Sequence, residues 1–296
     1  MLYYSFNDYL KQKFHTRVHR LSLNAGFSCP NRDGALDNKG CIYCNENAFS
    51  HFHGETIPSI ETQIEKSMTF ARERFNAKKF IAYFQNGSNT YASIETLKKT
   101  YDIIKKFPDI AGLYISTRPD CVEEEKLNLI KTYTKDYDVW IEYGLQTFHN
   151  KTLELINRRH TPEQSISAIK TTAEKGIKVA VHIILGLPGE TTYDMLKTGE
   201  EISKLPISGI KFHVMHVVKN TALEKMYFQG KIKLLELNEY ANILATFINL
   251  LRENTVIMRL VSTAKMDTLI APEWINQKHA VQKAVINKLM ELKKNK

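Results

Sequence analysis

The chain has 296 residues, 43% of them hydrophobic and 25% charged, the proportions of an ordinary globular protein with material for a large core. Lysine and arginine outnumber aspartate and glutamate by 41 to 32, so the net charge of +9 favours anionic partners, whether nucleic acid or an acidic protein, alongside the plainer reading of a solvated basic surface. The opening run MLYYSFNDYLKQKFHTRVHR has no apolar leader segment, and no stretch approaches the roughly 18 consecutive apolar residues of a membrane span; a cytoplasmic protein with no membrane partner is expected.

In chain order, RVHRLSLNAGF (17 to 27) reads as a first strand after a short amino-terminal extension (1 to 15). Ile60, Ile64, Met68, Ala71 and Phe75 recur at helical spacing, KKFIAYFQ (78 to 85) is a β-rich run, and Ile94, Leu97, Tyr101 and Ile104 return to helical spacing. Strands follow at IAGLYIS (110 to 116), YDVWIEYGLQ (137 to 146), IKVAVHIILG (177 to 186) and ISGIKFHVMHVV (207 to 218). Alternation of this kind predicts βαβ units and a parallel sheet, open or curled into a barrel, with ligands at the carboxyl ends of the strands. After about residue 220 the pattern changes to a helix at 236 to 254, a strand at 254 to 263 and a terminal amphipathic helix with the stripe Val281, Val285, Leu289 and Leu292. That segment, 221 to 296, is expected to pack as an extension on a core spanning 16 to 220.

Of four cysteines, Cys29, Cys41 and Cys44 lie together in CPNRDGALDNKGCIYC, just past the first strand. Four thiols are too few for a secreted disulfide framework, and clustered thiols in a reducing compartment bind metal or do redox work. A dithiol of the thioredoxin kind needs no third cysteine. Structural zinc needs a fourth ligand, which His51 or His53 could supply. An iron-sulfur cluster held by three cysteines leaves one iron open to a further ligand.

The spacing C-x₁₁-C-x₂-C with Tyr43 before Cys44 resembles the radical S-adenosylmethionine (radical SAM) superfamily. Together with FSCPNRDG, TRPDCV, EYGLQT, INRRH, ILGLPGE and GIKFHVMHVVK, it resembles more closely the short proteins related to the Elongator catalytic subunit, the YhcC/YtqA type, over about residues 14 to 275. The resemblance implies an α/β fold, a partial (β/α)6 barrel with a C-terminal α/β extension. It also implies a [4Fe-4S] cluster on Cys29, Cys41 and Cys44, with S-adenosyl-L-methionine (SAM) on the unique iron. One-electron reduction then yields a 5′-deoxyadenosyl radical that takes hydrogen from a substrate.

The same resemblance points to Tyr43, Glu142, Gln146, Arg158, Gly186 and Pro188 around SAM. Glu142 within an apolar strand needs a partner in any case. Gly186-Leu187-Pro188-Gly189-Glu190 also reads as a tight turn before a helix capped by Thr191 or Thr192. Where the superfamily carries a Gly-Gly-Glu, this chain has QNGSNT, so Gln85 and Ser88 are expected to accept from the SAM amino group unless the segment is a plain turn. Cys121 is a candidate hydrogen donor or a small buried apolar residue. Arg118 and Asp120 either meet substrate or pair with each other, and His213, His216 and Lys219 either face substrate or serve the strand end. The resemblance and the charge together suggest tRNA, at a wobble uridine side chain, as substrate, with flavodoxin or ferredoxin as low-potential electron donor. A small metabolite or peptide substrate, and a zinc-bearing nucleic-acid-binding protein without catalysis, stand as alternatives.

Overall fold

The computed structural model describes residues 2–45 and 57–294. Seven parallel strands form one curled sheet in the order β1-β2-β3-β4-β5-β6-β8. They are β1 (Val18–Leu23), β2 (Lys79–Phe84), β3 (Ile110–Thr117), β4 (Asp138–Gln146), β5 (Lys178–Leu185), β6 (Gly209–Val214) and β8 (Val256–Arg259). Each crossover passes over the outer face through α2 (Ile60–Phe75), α3 (Ile94–Asp102), α4 (Glu124–Thr132), α5 (Asn150–Leu155) with α6 (Pro162–Glu174), and α7 (Thr192–Ser203). The result is a partial barrel of βα units.

Strand period decides what faces where. On β4, Val139, Ile141, Tyr143 and Leu145 join the large core under the helices. The alternate residues Asp138, Trp140, Glu142 and Gly144 turn into the lumen. Helix starts are fixed by side chains that satisfy orphan N–H groups: Ser59 caps α2, Ser93 caps α3, and Thr161 and Thr191 form capping boxes with Gln164 and Asp194 at α6 and α7.

The amino end of the lumen is closed by α1 (Phe6–Phe14). Leu10, Phe6, Tyr9 and Phe14 pack there against Ile81, Tyr83, Tyr114 and Trp140. Fully buried rings of this size each remove roughly 150–250 Å² from water, so the plug is a second core. At its centre the Asp138 carboxylate accepts from Tyr9 Oη (2.7 Å), Tyr114 Oη (2.8 Å) and Trp140 Nε1 (2.9 Å), and pairs with Lys178.

Two sequence expectations are refined. The run 207 to 218 is broken: after β6 the Val214 carbonyl is taken up by His216 Nδ1 at 2.8 Å, and Val217–Val218 (β7) pairs antiparallel with β9 (Leu269–Ala271). The strand expected at 254 to 263 is β8, a seventh member of the main sheet, pairing with β6. Of the remaining helices, α8 (Ala222–Phe228) leads from β7. The stripe Tyr240, Ile243, Leu244 and Phe247 of α9 (Leu237–Leu250) and Val281, Val285 and Leu289 of α10 (Lys278–Lys294) join the helix-side core. Among the described residues no helix is long and apolar enough to cross a membrane.

Candidate functional site

Past β1 the chain crosses the carboxyl edge of the sheet as a loop folded on itself. The Cys29 carbonyl accepts from the amides of Arg32 (2.8 Å) and Asp33 (3.1 Å), the Pro30 carbonyl accepts from Leu36 (2.7 Å), and Cys44 N donates to the Cys41 carbonyl (3.0 Å). The eleven residues between Cys29 and Cys41 thus form a closed turn rather than a slack bridge.

This loop is clasped by residues 156–160, which follow α5. Ile42 N donates to the Ile156 carbonyl (3.1 Å), Asn31 Nδ2 to the Asn157 carbonyl (2.6 Å), Asn157 Nδ2 to the Gly40 carbonyl (2.7 Å), and Arg159 Nη2 to Asp37 Oδ2 (2.7 Å). Asn157 and Arg159 take left-handed backbone angles, φ 55° and 58°, a conformation costing about 1–2 kcal/mol for ordinary residues and held here by those bonds. The Lys39 amide, then Arg159, hold the Asp37 carboxyl down at about 2. INRRH carried part of the family resemblance, but its clasping role was not legible, because its partners lie more than a hundred residues away.

Between the two clasping residues, Arg158 turns inward and is buried. Its Nη2 donates to the Gly144 carbonyl at 2.8 Å, and Nη1 stands 3.8 Å from Cys41 Sγ, which Asn31 Nδ2 also approaches at 3.5 Å. A Cβ on Gly144 would lie 2.6 Å from Arg158 Nη2, so the guanidinium uses the room glycine leaves. Burial would lower the Arg158 pKa, but Cys41, Tyr43 and Cys29 outweigh it and hold the cation charged. Burial, then Cys41, raises the Tyr43 phenol, so it stays protonated. His160, missed in the sequence, shares the Gly144 carbonyl (3.1 Å) and is pushed down to about 3 by burial and by Arg158, so it is neutral.

Arg118 and Asp120 pair with each other, Nε to Oδ1 at 2.9 Å and Nη2 to Oδ2 at 2.8 Å, and Arg118 also donates to the Arg158 and Arg159 carbonyls. The pair supports the clasp from below. Gly87 in QNGSNT has φ 72°, and a Cβ there would stand 2.2 Å from the Phe27 carbonyl oxygen; Ser88 N donates to the Ser28 carbonyl (3.0 Å). That segment buttresses the backbone leading into Cys29. Ser88 is buried beside the Cys121 thiol, which burial pushes up to about 12, while Gln85 is half-buried at the end of β2.

Gln146 is buried on the rim beside Arg158, at a register shift of β4 and with φ 73°. Gly186 ends β5 under Leu235, whose Cγ would be 2.9 Å from an added Cβ; Pro188 is half-buried in the turn that follows. Glu142 lies deeper than the rim, and its Oε2 accepts from Tyr83 Oη (2.8 Å) and His182 Nε2 (2.9 Å) and pairs with Lys211. Those three partners were missed, although inward alternation on β2, β5 and β6 marks them. His213 faces His182 with ring centroids 5.4 Å apart. His216 is spent on the Val214 carbonyl, and Lys219 is exposed, its carbonyl accepting from Asn45 Nδ2 (2.8 Å). Cys29, Cys41, Tyr43, Arg158 and Ser88–Cys121 are therefore brought together; Lys219 meets the end of the cysteine loop through its backbone carbonyl, and His216 bonds the Val214 carbonyl.

Residues 38–202 match the model of the Radical SAM superfamily, and residues 207–291 that of the Radical_SAM C-terminal domain. The chain belongs to the radical SAM superfamily. An uncharacterized protein of Methanocaldococcus jannaschii is 36% identical over 300 residues, covering 100% of this chain and 90% of its own, and YhcC of Escherichia coli is 35% identical, covering 91% and 86%. The structure of archaeal Elp3 from Methanocaldococcus infernus superposes with a TM-score of 0.63 at 18% identity, over 92% of this chain and 63% of that one, a likeness of fold. A stretch of 125 residues is 32% identical to the tRNA uridine(34) acetyltransferase of M. jannaschii, 41% of this chain and 23% of that protein.

As a radical SAM enzyme the protein uses a [4Fe-4S] cluster and SAM. The residues present fit these groups. His51 and His53, the candidates for a zinc ligand, lie outside the described residues. Arg118 Nη1 and Asn31 Oδ1 are buried beside the loop with no hydrogen-bond partner, polar atoms that a bound polar group would satisfy.

Proposed function

We propose that this radical SAM enzyme acts on RNA, at the side chain of a wobble uridine in tRNA, with its cluster on Cys29, Cys41 and Cys44. The observation carrying the cluster assignment is the three-cysteine loop clasped over the strand ends with the Arg158 cation against Cys41. The RNA assignment is supported by the net charge of +9 and by the similarity to a tRNA uridine(34) acetyltransferase. When bound and reduced, the cluster and SAM supply a 5′-deoxyadenosyl radical able to take hydrogen from carbon, chemistry no side chain provides.

The chain's own residues then hold, orient and shield. Tyr43, Gln146, Arg158, Gly186 and Pro188 surround the SAM site, with Arg158 fixed by the Gly144 carbonyl and positioned for the methionine carboxylate. Gln85 and Ser88 stand where the superfamily's glutamate is replaced, and Glu142, bonded to Lys211 and His182, lies below the rim. The Cys121 thiol, kept protonated by burial, has a hydrogen to give. A cleft of about 330 Å³ on the outside of the loop, lined by Arg32, Lys39, Cys41, Cys44 and Arg159, is where an acidic flavodoxin or ferredoxin would deliver an electron in the reducing cytoplasm.

Anaerobic reconstitution followed by reduction with SAM should yield 5′-deoxyadenosine, and alanine at any of Cys29, Cys41 or Cys44 should abolish both cluster and cleavage. Cys121→Ala should keep its iron; loss of iron there would mean a different ligand set. Nucleosides of tRNA from a deletion strain should show a changed wobble uridine, and an unaltered profile would sink the RNA assignment while leaving the radical chemistry intact.

A further inference from the structure

The lumen holds two layers of charge, and only the lower one balances. At the floor Asp138 is matched by Lys178 and by three neutral donors from Tyr9, Tyr114 and Trp140. One layer up, the single carboxylate of Glu142 faces three cations. Lys211 pairs with it directly, while Arg20 lies 4.7 Å from the Tyr83 ring centroid and 5.5 Å from that of Phe6. Arg259 is brought inward opposite Lys211 by the register shift between β6 and β8. Among the described residues neither arginine has an ion-pair partner.

Three polar atoms of this layer, Arg20 Nη1, Glu142 Oε1 and His213 Nε2, are shielded from solvent without any hydrogen-bond partner. Native interiors rarely leave such groups open, and an unpaired cation out of water is strongly unfavourable where burial is complete. The protonation equilibria agree. Burial and then Lys211 act on Glu142 in opposite senses, and the carboxyl ends well below its usual range. Lys211 is lowered by burial and by both arginines despite Glu142; Arg259 is lowered by burial and by Arg20, and His213 by burial and by Arg259. Each of these bases is pushed toward its neutral form, first by burial and then by its positive neighbours.

We propose that this layer binds an acidic group of the substrate, a carboxylate or a phosphate, which enters the lumen from the carboxyl edge and completes ion pairs with Arg20 and Arg259. His213 Nε2 adds a third donor when its ring carries the proton there. The site is separate from the one at the rim: Glu142 lies one inward position below Gly144, roughly 7 Å deeper at about 3.3 Å per residue, whereas Arg158 lies over Gly144 beside the cysteines. Paired arginines suit a planar or tetrahedral oxyanion because each guanidinium offers parallel donors. The inference rests on the radical SAM assignment and not on whether RNA carries the acidic group.

The test uses the anaerobically reconstituted holoenzyme, its Tm followed during titration with inorganic phosphate or with malonate, against sodium chloride of equal ionic strength. One of the two probes should raise the Tm beyond the chloride control, and which one does so identifies the oxyanion. Arg20→Met and Arg259→Met should each weaken the apparent affinity for that probe at least about tenfold, while Arg259→Lys, which keeps the charge, should weaken it less. Without probe, the Met variants should be as stable as the parent or more so, since each removes a cation that has no ion-pair partner and methionine keeps an apolar chain against the same neighbours. Saturating SAM should not displace the probe. No stabilisation beyond chloride, undiminished affinity in both Met variants, or displacement by SAM would each overturn the proposal. Failure of the wild type to form 5′-deoxyadenosine is a separate readout and would count against the radical SAM reading instead.

Discussion

Arg158 is the residue on which the rim turns, because it meets the Gly144 carbonyl with one nitrogen and Cys41 Sγ with another. A positive charge and an N–H beside a cluster thiolate favour the reduced state. Arg158→Gln should therefore shift the cluster's reduction potential to more negative values with iron content retained, as measured by a spectroscopic redox titration; an unchanged potential would remove Arg158 from the cluster's electrostatics. The sequence offered Arg158 only through family likeness, since its contact with Cys41 spans 117 positions of chain. Glu142 was legible differently: a carboxylate in an apolar strand demands a partner, yet which partners, Lys211 and His182, depended on barrel register. His182 gives a pH prediction. Burial pushes its pKa down to about 4, below the usual 6.5, so its contribution to stability is complete above about pH 6.5 and is lost as pH falls toward 4. The slope should approach 1.4 kcal/mol per pH unit, and His182→Gln should flatten denaturant-derived stability across that window.

At the level of elements, the strand and helix pattern was readable because outer positions repeat at period two on strands and every three or four residues on helices. Capping was readable too, as Thr191 and Asp194 show. The loops were less so, because their conformations are set by what they touch. QNGSNT looked like either a ligand loop or a turn, and Gly87 gives it a structural duty: its positive φ and the 2.2 Å approach of the Phe27 carbonyl to a Cβ position leave no room for a side chain. Gly87→Ala should displace residues 27–29, lower the iron bound per chain after reconstitution, and destabilise the fold by more than the roughly 1 kcal/mol typical of point substitutions. Equal iron content would show that the buttress is dispensable. The apolar run 207 to 218 suits one continuous strand, whereas in the fold it breaks after Val214, whose carbonyl bonds the His216 side chain, and Val217–Val218 turns to pair with β9.

Over the whole molecule, the sequence-based boundary near residue 220 separates segments that share one sheet. β8 extends the sheet beyond β6, and Phe247 of α9 meets Phe212 of β6 edge to face with centroids 5.0 Å apart. A chain ending at Asn220 should expose the β6 edge and the apolar backs of β6 and α7, and should be aggregated or molten by size-exclusion chromatography and near-UV circular dichroism. A folded, monomeric fragment would mean that the two segments are energetically separable. The plug formed by α1 has a further consequence, for time rather than stability. With the floor packed by Tyr9, Leu10 and Phe14, an acidic group in the proposed lumen site and a cofactor held at the rim would share an approach from the carboxyl edge. If the lumen site is filled as proposed, the deeper guest must arrive before the shallower one and wait on it for release, so turnover becomes a matter of order of arrival.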